Sequence, residues 1–289
     1  MCDEQTARDA DAYAATLSRR RFTGASLTVA AGAALPGTAN AKRLTERDVR
    51  VPTPDGEADA FFVAPTRGRC PGVLIWPDIL GLRPAFRQMA RRLAGDGYAV
   101  LVVNPYYRQA RSPVVEEGAS FRDPATRERV MPLARSLTAA TNERDARAFV
   151  AFLDAQPESD PRRKIGTMGY CMGAAMTVRS AAAQPDRIGA GASFHGGRLV
   201  TDRPDSPHLL VPTTKASYLY AIADNDDKQQ PDAKDALRAA YADASLDAEI
   251  EVYEGAMHGW CVPDSAAYHE QQAERAWARL LVLFSKALR

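Results

Sequence analysis

Short, unbroken apolar runs recur along the chain between stretches of helical periodicity. GVLIW at Gly72–Trp76 and YAVLVV at Tyr98–Val103 contain no charged residue, as expected of strands buried on both faces of a parallel sheet. An opening antiparallel pair is predicted around the turn Pro54-Asp55-Gly56. The predicted strands are Leu44–Val51, Ala58–Val63, Gly72–Trp76, Tyr98–Val103, the segment leading into Gly169, Ile188–Phe194, Ser217–Ala223 and Ala248–Tyr253.

Amphipathic helical patterns separate most of these strands. The predicted helices are Pro84–Ala94, Leu133–Ala155, the Ala-rich stretch after Gly173, Asp232–Ala242 and a terminal helix from about Ser265. The stretches 104–132 and 203–212 contain several prolines and are predicted as loops. Strands that alternate with helices, without an internal linker, predict one α/β domain. Its sheet should be mostly parallel and covered by helices on both faces.

The composition is typical of a globular protein and narrows the choice of partners. Apolar residues make up 46% of the 289 residues, charged residues make up 25%, and the formal net charge is +1. We expect no nucleic-acid partner, because no basic block is interleaved with aromatic residues. We expect no membrane partner either, because no apolar run approaches the roughly 18 residues of a membrane-spanning helix.

The first 41 residues have the pattern of an export signal. Ser18-Arg19-Arg20-Arg21-Phe22 resembles the core of a twin-arginine signal, and a mildly apolar, Ala-rich stretch follows it. Ala39-Asn40-Ala41 has the small-x-small form of a cleavage site. We therefore expect export to the periplasm and a folded domain at 42–289. The alternative is an N-terminal amphipathic helix that packs on the domain.

The candidate nucleophile lies in the segment Gly169-Tyr170-Cys171-Met172-Gly173. A strand pattern precedes this G-x-C-x-G segment and an Ala-rich helix follows it, which is the context of a nucleophile elbow. Glycine suits both flanking positions, because strand and helix approach too closely for a Cβ. The positive end of the helix dipole favours a thiolate and an oxyanion at this turn. The alternative is a structural cysteine buried in a glycine-rich turn.

An acidic cluster and a histidine follow two later strands. Asp224, Asp226 and Asp227 come directly after one strand, and His258 follows the last one. Catalytic groups collect at the carboxyl ends of the strands in such sheets, and the order nucleophile, acid, histidine is that of the α/β-hydrolases. His258 is favoured because it alone follows the last strand among small residues. The other histidines are His195, His208 and His269.

Four segments together resemble the dienelactone hydrolase family of α/β-hydrolases. They are GYCMG at Gly169–Gly173, MHGW at Met257–Trp260, NPYYR at Asn104–Arg108 and WPDILG at Trp76–Gly81. The resemblance extends from about Leu44 to the C-terminus. It implies an α/β-hydrolase fold that acts on a small-molecule ester or lactone, without metal or cofactor, as a monomer or homodimer.

The resemblance also implies a carboxymethylenebutenolidase-like reaction through a cysteine nucleophile and a thioester. His258 would take the proton of the Cys171 thiol, and an aspartate would orient the imidazole. In related hydrolases the acid commonly falls three residues after the small residue that ends the strand, which selects Asp226. Counting back from Pro231 selects Asp227 instead, so this choice stays open, with Asp226 preferred.

Further roles around the nucleophile follow from the same resemblance. The backbone N–H groups of Met172 and Ile79 would hold the oxyanion. Asp78 stands where the family has a glutamate that contacts the resting thiol. Four more residues are expected to line the substrate pocket, although the aromatic ones equally suit ordinary packing. These are Tyr106, Tyr107, His195 and Trp260.

The substrate-binding arginines of the family have no clear counterparts in this chain. One lies four residues beyond the histidine, where this chain has Val262, and Arg127 and Arg129 match the other region loosely. We therefore expect a less charged ester or lactone as readily as dienelactone. The alternative function is a non-hydrolytic thiol redox or ligand-binding protein on the same fold. The complete set of Cys, Asp and His in order favours the hydrolase.

Overall fold

Eight strands form one sheet in the computed structural model, which describes residues 42–289. The strands are β1 Leu44–Thr53, β2 Gly56–Pro65, β3 Gly72–Trp76, β4 Ala99–Val103, β5 Ile165–Tyr170, β6 Ile188–Phe194, β7 Ser217–Ala223 and β8 Ala248–Tyr253. Their order across the sheet is β1-β2-β4-β3-β5-β6-β7-β8. β2 pairs antiparallel with β1 and with β4, and all other pairs are parallel. The prediction of a mostly parallel sheet opened by an antiparallel pair is confirmed.

Helices cover both faces of this sheet. They are α1 Pro84–Asp96, α2 Pro124–Arg135, α3 Ala139–Ala155, α4 Met172–Ala183, α5 Asp224–Gln229, α6 Ala233–Asp243 and α7 Glu270–Ala287, with a 3-10 helix at Pro207–Thr213. Apolar residues of α1 and α7 pack on one face, and those of α3, α4 and α6 pack on the other. No helix within residues 42–289 combines the length and apolarity needed to cross a membrane. The predicted α/β-hydrolase architecture is confirmed. The predicted export signal at 1–41 lies outside the described residues.

The helix predicted over Leu133–Ala155 is two helices. Thr138 caps a new helix: its Oγ1 accepts the N–H of Thr141 at 3.1 Å, and Thr141 Oγ1 accepts the N–H of Thr138 at 3.0 Å. This reciprocal capping satisfies N–H groups that a helix terminus leaves without partners. The preceding helix instead begins at Pro124, inside the predicted loop, where the Asp123 side chain accepts a backbone N–H.

Two further boundaries differ from the prediction. The acidic stretch after β7, for which no helix was predicted, is the short helix α5, and its aspartates lie where the positive end of a helix favours negative charge. The terminal helix begins at Glu270 rather than near Ser265, because the His269 ring accepts the N–H of Gln272 and caps the helix there. Turns occupy the residues between β8 and this cap.

The carboxyl ends of the parallel strands meet along one edge of the sheet. Cys171 directly follows β5, His195 follows β6, and Asp226 lies three residues beyond β7. His258 lies in the turns after β8. The topology therefore places these four side chains at one edge, as expected for this class of sheet.

Candidate active site

Cys171 occupies a sharp turn between β5 and α4. Its backbone has φ 54° and ψ −117°, which is strained for a residue with a Cβ. A Cβ on Gly169 would lie 2.2 Å from the carbonyl oxygen of Gly173, and a Cβ on Gly173 would lie 2.4 Å from that of Trp76. The turn therefore requires glycine on both sides of the cysteine. The Cys171 N–H donates to the Phe194 carbonyl at 3.1 Å, which ties the turn to β6.

Asp226 and His258 are in direct contact at the same edge. Asp226 lies in the first turn of α5, and its Oδ2 is 2.7 Å from Nδ1 of His258. The backbone N–H of His258 donates to the side-chain oxygen of Asn225 at 2.8 Å. Asn225 therefore holds the histidine loop against α5. Asn225 was not among the predicted site residues, and its only signal in the sequence was its position directly before Asp226.

The two other aspartates of α5 are paired elsewhere. A lysine contacts Asp227 at 2.7 Å, and a second lysine contacts Asp224 at 2.9 Å. Of the three candidates, the structure places Asp226 on His258. Counting forward from the strand end reaches this residue, because the end of β7 determines where the first turn of α5 begins.

Two cavities adjoin Cys171. The smaller, of about 330 Å³, is lined by Cys171, His195 and His258 together with the segment after β3. The larger, of about 800 Å³, is lined by Cys171 and Met172 and extends along α2, α3 and α4. Ile79 lies at the border of both. Within the described part of the chain, no cluster of His, Cys, Asp and Glu is arranged to hold a metal ion.

Most of the chain matches a known family. The model of the dienelactone hydrolase family matches residues 58–288. The chain belongs to the dienelactone hydrolase family. The expectation drawn from the four sequence segments is confirmed.

Individual relatives are distant but cover most of the chain. A provisionally named carboxymethylenebutenolidase of Methylorubrum extorquens is 28% identical over 291 residues, covering 95% of this chain and 96% of that protein. Another from Synechocystis is 26% identical over 245 residues, covering 83% and 96%. A provisionally named dienelactone hydrolase structure from Klebsiella pneumoniae aligns with a TM-score of 0.72 at 23% identity, covering 84% of this chain and 99% of that one. A dienelactone hydrolase-like promiscuous phosphotriesterase from metagenomic libraries aligns with a TM-score of 0.71 at 24% identity, covering 85% and 99%.

In this member of the dienelactone hydrolase family, burial and nearby charge shift the pKa of His258 in opposite directions. Burial by itself lowers the pKa of a histidine. The Asp226 carboxylate and the Cys171 sulfur favour the protonated ring, and together they hold the pKa of His258 well above its usual range. The site therefore stabilises the imidazolium that a proton transfer from the Cys171 thiol would form.

Met172 and Ile79 both line the larger cavity next to Cys171. Met172 is the first residue of α4, so its N–H has no acceptor within the helix. Ile79 lies in the segment after β3. The Tyr106 hydroxyl donates to the Ile79 carbonyl at 2.9 Å and contacts the Met172 sulfur at 3.4 Å. Tyr106 thus contacts both of these residues and lines neither cavity. The expectation that Tyr106 forms a wall of the pocket is corrected.

Asp78 lies in the smaller cavity but is bound to an arginine. Its two carboxylate oxygens accept from Arg83 at 2.7 and 2.9 Å, and Oδ1 also accepts the Leu80 N–H at 2.9 Å. Arg83 pairs in addition with Asp264 at 2.7 Å. Burial opposes the charge of Arg83, yet the two carboxylates keep its pKa above the usual value. The side chain expected to contact the thiol is therefore part of a salt-bridge network beside it.

Several other predicted pocket residues lie outside the site. Trp260 is fully buried and stacks on Tyr253 with ring centroids 4.7 Å apart. The Tyr107 hydroxyl donates to Asp145 at 2.8 Å. Trp260 belongs to the core on one face of the sheet and Tyr107 to the core on the other face. Their assignment to the pocket is therefore corrected. The arginines proposed as loose matches are also occupied elsewhere: Arg127 and Arg129 donate to backbone carbonyls, and neither lines a cavity next to Cys171.

The larger cavity contains polar groups that the sequence analysis did not anticipate. The Asn142 side chain is 4% exposed, and neither its nitrogen nor its oxygen has a partner within residues 42–289. Arg179 donates to the carbonyl of Asp205 at 3.3 Å, while its Nε is buried without an acceptor there. Helical periodicity places both residues on inward faces, but it does not indicate that the space beside them is open.

Proposed function

We propose that this protein is a carboxylic ester or lactone hydrolase, carboxymethylenebutenolidase-like, whose nucleophile is Cys171. The observation that carries the proposal is the 2.7 Å contact between Asp226 and His258 beside a strained cysteine elbow. A structural cysteine or a redox thiol needs neither the strained turn nor an aspartate behind a histidine. The family membership and the names of the relatives support the same reaction class.

The proposed reaction has two halves that share one set of groups. His258 takes the thiol proton of Cys171, and the sulfur attacks the carbonyl carbon of the substrate. The N–H groups of Met172 and Ile79 stabilise the oxyanion, each typically by about 3 kcal/mol. The oxyanion collapses to a thioester as the alkoxide leaves with the proton from His258. Water, deprotonated by His258, then attacks the thioester, releasing the carboxylic acid and restoring the thiol.

The substrate we propose is a small molecule of low charge. The cavity that contains Cys171 and His258 has a volume of only about 330 Å³. Val262, at the position of a family arginine implied by the sequence resemblance, is buried in the apolar core. Small aliphatic or aromatic esters and small lactones therefore suit this cavity.

Hydrolysis of phenyl acetate by the purified full chain tests the proposal. We expect Cys171→Ala to abolish turnover, and we expect mass spectrometry of the quenched wild type to reveal an acetyl group on Cys171. Cys261→Ala is the matched control, since Cys261 is also a buried thiol but lies in the core. Turnover that survives in Cys171→Ala would refute the nucleophile and favour the non-hydrolytic alternative.

We further propose that the protein is exported by the twin-arginine route and functions in the periplasm. The support is the Arg19-Arg20 pair in the Ser18–Phe22 segment and the Ala39-Asn40-Ala41 site. Replacing both arginines by lysine should leave uncleaved precursor inside the cell. Unchanged export of that variant would contradict the route.

A further inference from the structure

His195 is held rigidly at the end of β6, next to the proposed catalytic residues. Its backbone N–H donates to the Ala221 carbonyl at 2.9 Å. Its ring lies edge to face against the ring of His258, with centroids 4.8 Å apart, and 5.9 Å from the ring of Tyr170. A Cβ on the next residue, Gly196, would lie 2.5 Å from the Ser193 side chain, so this position has no room for a larger residue. These contacts fix where the His195 ring lies.

Two features of His195 have no explanation in packing alone. The side chain is 1% exposed, yet neither ring nitrogen has a hydrogen-bond partner within the described residues. Its backbone φ is 39°, in the region that residues with a Cβ seldom adopt. An unsatisfied buried donor and a strained backbone both destabilise the fold, and they recur at functional sites. A phenylalanine ring would fill this space without leaving a buried hydrogen-bonding group unsatisfied.

The surroundings of His195 indicate which part of a substrate it would meet. His195 and His258 both line the smaller cavity, and neither lines the larger one. In the proposed reaction His258 delivers its proton to the leaving oxygen, so the alcohol side of the substrate must lie in the cavity that contains His258. The His195 ring is therefore adjacent to the leaving group.

We propose that His195 is a specificity-determining residue that hydrogen-bonds a polar group on the alcohol side of the substrate. The favoured substrates are esters whose alcohol carries a second oxygen near the ester linkage, or lactones with an oxygen substituent at the corresponding place. This inference rests on the proposed function, because it uses the direction of proton delivery from His258.

Charge considerations agree with this role. Burial lowers the pKa of His195 well below its usual range, and the neighbouring His258 lowers it further. His195 therefore stays neutral while His258 is protonated. A neutral imidazole offers one N–H donor and one acceptor nitrogen, which suits an ether, hydroxyl or carbonyl oxygen better than a carboxylate. Of the charged groups that line the same cavity, Asp78, Arg83 and Asp264 are paired with one another, and Arg122 lines it as well.

A pair of matched esters tests the proposal. Butyl acetate and 2-methoxyethyl acetate have the same length and differ by one oxygen in place of a methylene group on the alcohol side. We measure kcat/KM for each with the full chain by acid release in a pH-stat, and divide by the rates of hydroxide hydrolysis to remove intrinsic reactivity. The wild type should prefer the methoxyethyl ester by about tenfold, the effect of one good hydrogen bond. His195→Phe should reduce this preference to about one.

His195→Gln keeps a donor and an acceptor and should retain several-fold preference. The glutamine variant also provides the comparison with the wild type if the phenylalanine variant does not fold. A wild type without preference, or a His195→Phe variant that keeps it, refutes the inference. If His195→Phe lowers kcat equally for both esters and shifts the pH profile, then His195 acts through His258, which also refutes it. If the wild type does not hydrolyse phenyl acetate, the proposed function itself is refuted.

Discussion

The hydrogen bond between Asp226 and His258 gives the most direct prediction for the proposed reaction. Asp226→Asn removes a carboxylate whose Oδ2 lies 2.7 Å from Nδ1 of His258 and substitutes an amide of the same shape. The amide cannot stabilise the imidazolium by charge, and it can present its N–H₂ group to the ring, which favours the wrong tautomer. The fold should survive, since Asp226 is partly exposed and both side chains have the same volume.

The magnitude follows from the local contacts. Two unit charges about 4 Å apart attract by about 4 kcal/mol at an effective dielectric constant near 20. A hydrogen bond to a charged group contributes about 1.5–3 kcal/mol. Taking about 3 kcal/mol as the loss in the transition state, kcat/KM should fall by about a hundredfold, at about 1.4 kcal/mol per factor of ten.

The assay is steady-state hydrolysis of phenyl acetate, with thermal unfolding measured on every variant. Asp227→Asn and Asp224→Asn are matched controls on the same short helix, because Asp227 pairs with Lys234 and Asp224 pairs with Lys228. Each variant should stay folded, because loss of a surface ion pair costs at most about 1 kcal/mol of folding stability. Each should also keep kcat/KM within about twofold, because the carboxylate that it removes is paired with a lysine rather than with His258. A folded Asp226→Asn with nearly wild-type kcat/KM, or a larger loss in Asp227→Asn, would refute the assignment of the acid.

Three further predictions concern stability. The pKa of His258 is raised in the folded state, so protonation of its ring stabilises the fold. This contribution is present below the unfolded pKa of about 6.5 and is lost as pH rises through the folded value. Unfolding midpoints should therefore fall with rising pH in the wild type and fall less in Asp226→Asn. Gly173→Ala places a Cβ 2.4 Å from a carbonyl oxygen of β3 and should cost more than about 3 kcal/mol in urea unfolding, whereas Gly95→Ala, with open space around it on α1, should be neutral or slightly stabilising. Asn142→Leu removes a buried amide that has no partner within residues 42–289, so it should raise Tm by about 2–4 °C; a fall in Tm would show that the amide is satisfied in solution.

The sequence alone was sufficient for the parts of this protein that depend on local pattern. Buried strands of a parallel sheet are continuous apolar runs, so β3, β4 and the alternation of strands with helices were readable directly, whereas α2 and α5 were not. The elbow was readable because only glycine tolerates the close approach on both sides of Cys171. Counting from the end of β7 selected Asp226, the residue that contacts His258, because this distance is set by the strand itself, whereas the count from Pro231 left Asp227 open. The strand runs and the position of Asp226 depend on residues close in sequence, and the elbow shows as a local motif even though Gly173 packs against Trp76.

Tertiary structure decided which side chains share a space. An apolar or aromatic residue next to a catalytic loop suits a pocket wall and a core equally well, and only packing placed Trp260 on Tyr253. The pairing of Arg83 with both Asp78 and Asp264 joins segments 181 residues apart in sequence, so no local pattern indicates that Asp78 is engaged. That neither ring nitrogen of His195 has a partner within residues 42–289 likewise becomes visible only in the folded structure. Patterns along the chain report backbone conformation, whereas the direction and partners of a side chain depend on residues that folding brings from far away.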